Sequence, residues 1–102
     1  MRAVLVALVA VALAGCHEES WWNNELVVFN DGSTGVDVRV EIDGHVDFYT
    51  VWPGDAVSIF SGNEGQNVII TRISDGSLLF SAWYSDDDFE DSHGDIQVTV
   101  YP

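Results

Sequence analysis

The densest chemistry in this chain lies between Ser85 and Asp95, where Asp86, Asp87, Asp88, Glu90, Asp91 and Asp95 crowd carboxylates into one short segment. A calcium-like cation takes roughly six to eight hard oxygen ligands, so the segment is expected to be a loop with Asp86, Asp88, Glu90, Asp91 and Asp95 as candidate ligands. Asp86, Asp88 and Glu90 alternate as early EF-hand ligands do. Asp91, however, stands where that loop requires glycine, and Gln97 where it closes with glutamate. Without a preformed cage, affinity should be weak, on the order of 10⁻⁴ to 10⁻³ M. The competing expectation is a solvated acidic loop whose like charges repel.

Other chemistry is thinner. His17, His45 and His93 are far apart in sequence and lack a free thiolate partner, so they do not form a zinc pattern. No Gly-x-Ser-x-Gly elbow occurs. Ser74 and Ser92 stand beside acids in expected turns, where hydroxyls usually bond their own backbone. Catalysis is not expected, and neither is a cofactor beyond weakly held calcium. Trp52, Trp83 and Tyr84 are candidates for contact with a protein or a glycan, against core packing as the alternative.

The elements that would position these residues are strands. From Glu25 onward apolar residues follow a period of two, broken by Asn30-Asp31-Gly32, Asp43-Gly44, Pro53-Gly54, Gly62-Asn63-Glu64-Gly65 and Asp75-Gly76. Strands are expected near 25–30, 36–41, 45–52, 55–61, 66–73, 77–84 and 95–101, with no helix in this region. Seven short strands predict an all-β fold, a small antiparallel β-sandwich over 25–102.

In the first hairpin, Val36, Val38 and Val40 alternate with Asp37, Arg39 and Glu41. A three-residue Ile42-Asp43-Gly44 loop would pair Val40 with Val46, Val38 with Phe48 and Arg39 with Asp47, and that register is expected. Val68, Ile69, Ile70 and Ile73 place apolar residues on both faces, which predicts a central strand. Leu78, Leu79, Phe80 and Trp83 suggest a partner covered on both sides. The stretch Val36 to Gly44 resembles hairpins of secreted immunoglobulin-like and transthyretin-like accessory domains, which implies an architecture and no activity.

The N-terminus has a different grammar. Met1 and Arg2 precede an uncharged apolar run from Ala3 to Ala14, too short for the roughly 20 residues of a spanning helix and laid out as a signal peptide. Leu13-Ala14-Gly15-Cys16 resembles the lipobox of bacterial lipoproteins. That resemblance implies cleavage after residue 15, a diacylglyceryl group on the Cys16 thiol and an acyl chain such as palmitate on the new amine. Three chains at about 0.8 kcal/mol per buried methylene would hold the protein on a bilayer.

Cys16 is the single cysteine, so no disulfide can form within the chain. Residues 16–24 would then be a lipidated tether reaching roughly 25 Å when extended, with Trp21 and Trp22 placed either at headgroup level or over the domain. The resemblance implies a cell-envelope location. With His17 rather than aspartate after the cysteine, it favours the outer membrane in a cell that has two.

Seventeen Asp and Glu face three arginines and no lysine, for a formal charge of −14. That field repels phosphates and excludes nucleic acid as a partner. The expectation is a non-enzymatic binding or structural module held on a lipid bilayer, with an envelope protein or glycan as partner. The alternative is a calcium-dependent surface domain.

Overall fold

The computed structural model describes residues 23–102. The expected signal segment, Cys16, Trp21 and Trp22 lie outside the described residues. The elements are β1 (Glu25–Asn30), β2 (Val36–Ile42), β3 (His45–Val51), β4 (Ala56–Phe60), β5 (Gln66–Arg72), β6 (Leu78–Tyr84), α1 (Asp86–Asp91) and β7 (Asp95–Val100). They form a three-stranded sheet of order β4-β1-β7 and a four-stranded sheet of order β3-β2-β5-β6. The seven-strand β-sandwich expected from period-two patterning is present, with strand ends within a residue or two of those expected.

Alternation decides which side chains meet between the sheets. Leu26 and Val28 from β1, Val36, Val38 and Val40 from β2, Val68 and Ile70 from β5, Ile59 from β4 and Val98 and Val100 from β7 form one buried cluster with Val51 and Phe89. Each such side chain is worth about 1.5–3 kcal/mol when fully buried. Among these apolar residues, Asn30 is also buried. Its Nδ2 donates to Thr34 O (2.9 Å) and Val51 O (3.0 Å), and its Oδ1 accepts from Gly32 N (2.9 Å), so the β1–β2 connection is fixed to β3.

Four expectations need correction. First, β1 pairs with β7 in parallel, Glu25 opposite Asp95 through Asn30 opposite Val100, so the smaller sheet is mixed. Second, the first hairpin turns on two residues: Ile42 pairs with His45, Val40 with Asp47, Val38 with Tyr49 and Arg39 with Phe48. Asp43 and Gly44 both have positive φ, 51° and 77°, as a type I′ turn requires. Valine matching does not set this register because β3 is an edge strand, and Val46 and Phe48 are exposed on the outer face instead of contributing to the core.

Third, β5 is central, but β6 is an edge strand with Leu78 and Trp83 exposed, so its apolar run is not covered on both faces. Fourth, the acidic segment contains a helix.

Helix α1 follows from three local features. Ser85 Oγ accepts from Asp88 N (3.2 Å) and Asp88 Oδ2 accepts from Ser85 N (2.9 Å), a capping box. Asp86, Asp87 and Asp88 place negative charge where the helix dipole is positive. Phe89 is buried and meets Tyr84 edge-on, ring centroids 6.2 Å apart. At the other end, Gly94 N donates to Phe89 O (2.6 Å) and His93 N to Glu90 O (3.1 Å), the two bonds of a Schellman stop.

Candidate functional site

The helix disperses the carboxylates that a loop was expected to gather. Asp86 Oδ1 accepts from Asn24 Nδ2 (2.8 Å), Asp88 is engaged with Ser85, Glu90 and Asp91 are exposed on the helix, and Asp95 opens β7 beside Glu25. Among the described residues no three His, Cys, Asp or Glu side chains come together as a metal-holding group. Asp86, Asp88, Glu90, Asp91 and Asp95 do not come together as such a group among the described residues.

His45 Nε2 lies 3.7 Å from Asp47 Oδ1 at a largely exposed position. His93 terminates α1. No serine hydroxyl is hydrogen-bonded to either histidine among the described residues.

The three candidate aromatics separate. Tyr84 points inward and packs on Phe89, and burial, then the nearby Asp88 carboxylate, raise its phenol above the usual tyrosine range. Trp52, just after β3, is 56% exposed, and Trp83 is 62% exposed on β6. Alternation explains the difference: on β6, Tyr84 lies opposite Gln66 in the inward row, and Trp83 opposite Asn67 in the outward row.

That outward row runs across the four-stranded sheet. Trp83 faces Asn67, Asn67 faces Glu41, and Glu41 faces Val46. In the next row, Ser81, Ile69, Arg39 and Phe48 line up, with Phe48 70% exposed. The outer face is thus flanked by two exposed aromatic residues, one on each edge strand, with half-buried polar and apolar residues between them.

At one corner the face deepens into a cleft of about 350 Å³, lined by Glu41, Asp43, Gly44, Glu64, Gly65, Asn67 and Trp83. Gly65 sets its shape. A Cβ there would fall 2.7 Å from Trp83 Cη2 and 2.6 Å from Tyr84 O, so only glycine lets the indole and the β6 backbone come this close. The cleft opens at the end of the sandwich where the chain enters β1. Asn24 N donates to Gly62 O (2.7 Å) and Asn24 Nδ2 to Glu64 O (3.1 Å), so the β4–β5 loop that walls the cleft is bound to the residue preceding β1.

Sequence reasoning named Trp83 but not its companions. They come from the β2–β3 turn, the β4–β5 loop and two strands, β2 and β5, and only the register brings them together. The chain matches no family model, no curated protein and no solved structure.

Proposed function

We propose that this chain is a lipid-anchored lipoprotein of a bacterial cell envelope, whose β-sandwich is a non-enzymatic binding module. The observation that carries the reading is Leu13-Ala14-Gly15-Cys16, at the end of an apolar run too short to span a bilayer and separated from the strand region by a short polar stretch. The exposed outer face, with Phe48 and Trp83 at its edges, supports the binding role, since each aromatic ring offers a large area for a partner to cover. The partner is an envelope protein or glycan and not a nucleic acid, given a formal charge of −14.

Intact mass of the mature N-terminus tests the anchor. The expected result is a chain beginning at Cys16 with diacylglyceryl and acyl groups, and a Cys16→Ser chain that stays uncleaved or leaves the membrane fraction. An unmodified thiol on a membrane-extracted mature chain would refute it.

A further inference from the structure

We infer that the cleft beside Trp83 is a binding site for an organic cation, the guanidinium or ammonium end of a basic side chain on a partner protein. The inference deepens the binding-module reading and rests on it. A volume of about 350 Å³ lies near the lower end of small-ligand pockets, roughly 300–1,000 Å³, and suits one side chain. One wall is the indole of Trp83, 62% exposed with its benzo edge over Gly65. An indole face attracts cations, at an exposed position such as this one less strongly than where water is excluded.

The rest of the lining fixes the sign of the ligand. Glu41, Asp43 and Glu64 supply acceptors, Asn67 lies between Trp83 and Glu41 in the row, and neither Arg39 nor Arg72 is among the lining residues. Carboxylate bonds to guanidinium or ammonium are charge-assisted and stronger than neutral ones.

Competing ligands fit less well. A metal ion requires clustered ligands, and none cluster among the described residues. A neutral sugar can donate hydroxyls to the three carboxylates and accept from Asn67 and the Trp83 indole N–H, but it leaves their charge uncompensated, which a cation does not. The ammonium of a zwitterionic lipid carries a phosphate a few bonds away, which a chain of formal charge −14 repels. A basic protein segment has no such penalty, and the overall negative field speeds its approach.

The test uses the full chain, ¹⁵N-labelled and purified in a neutral detergent, titrated at fixed ionic strength with N-acetylarginine methylamide. N-acetylcitrulline methylamide serves as its uncharged isostere, and phosphocholine and glucose as competing chemistries. Saturable shifts of the Gly44, Gly65 and Asn67 amides and the Trp83 indole N–H are expected with the arginine probe alone. Trp83→Ala should weaken binding about threefold or more, and Glu64→Gln, at an exposed side chain, should weaken it too. Asp31→Asn, beyond the far end of β1, should leave it unchanged.

Absence of shifts overturns the proposal, as does an equal response to citrulline, a stronger one to phosphocholine or glucose, or equal losses in Asp31→Asn and Glu64→Gln. The mass at Cys16 is read on the same sample. A lipidated chain that ignores arginine rejects the cleft alone, and an unmodified Cys16 with a responsive cleft rejects the anchor alone.

Discussion

Ser85 and Asp88 cap one another across the first turn of α1, each side chain accepting from the other's backbone N–H. Two of the donors left over at a helix start are thereby satisfied, which is what allows a six-residue acidic helix to persist. Ser85→Ala is expected to lower stability by about 1 kcal/mol, and Asp88→Ala by a similar amount. The double substitution should cost less than the sum, because each single change already breaks the reciprocal unit. Urea midpoints of the four proteins measure this, and strict additivity would show that the two bonds act independently.

The same capping bears on calcium. Gathering these carboxylates round one ion would require α1 to rearrange, and with it the cap between Ser85 and Asp88. Millimolar calcium, compared with magnesium at constant ionic strength, is therefore expected to leave the thermal midpoint unchanged. A rise specific to calcium would mean that α1 rebuilds itself as a cage.

In the first hairpin, Gly44→Val should destabilise the fold by about 1–3 kcal/mol, since a β-branched residue is strained at φ 77°. Nothing lies within 4 Å of a Cβ built there, so the loss is purely conformational. Cross-strand nuclear Overhauser contacts should join Val40 to Asp47 and Val38 to Tyr49. Contacts from Val40 to Val46 would restore the bulged register.

What could be read from the chain follows from the range of the forces involved. The valines of β2 alternate, and their burial is decided by their own strand, so strand positions were legible. The β2–β3 register was misread because the two-residue Asp-Gly turn outweighs hydrophobic matching when the partner is an exposed edge. α1 escaped notice because Phe89 is its one apolar residue, too few for a period, although Ser85 followed three positions later by Asp88 was a visible capping signal. The parallel β1–β7 pair and the cleft both join residues distant in sequence, and no local pattern announces either.

At the close of α1, His93 adopts φ 58° in the Schellman stop, where glycine is the usual occupant. His93→Gly is expected to raise stability by roughly 0.5–1 kcal/mol, relief of the left-handed strain exceeding the extra freedom gained by the unfolded chain. A lower urea midpoint in the variant would show that the imidazole makes a contact worth more than the strain.

The last prediction concerns the β5–β6 turn. Asp75 accepts from Ser77 Oγ (2.7 Å), from Ser77 N (3.0 Å) and from Arg72 Nη1 (3.2 Å). The Ser77 hydroxyl first, then its backbone N–H and the Arg72 charge, hold the carboxyl below the ordinary aspartate value of 3.8. Because the folded value lies below the unfolded one, the group favours the folded state at pH above about 3.9, and that contribution fades as pH falls through the folded value. Ser77→Ala removes the largest cause while keeping the backbone donor, so the Asp75 carboxyl carbon should titrate closer to the ordinary range in the variant. The acid limb of its stability curve should then be less steep than in the native chain. An unchanged Asp75 titration would move the cause to Arg72 and the backbone N–H, and Arg72→Gln, which removes the charge, would then have to produce the shift that Ser77→Ala did not.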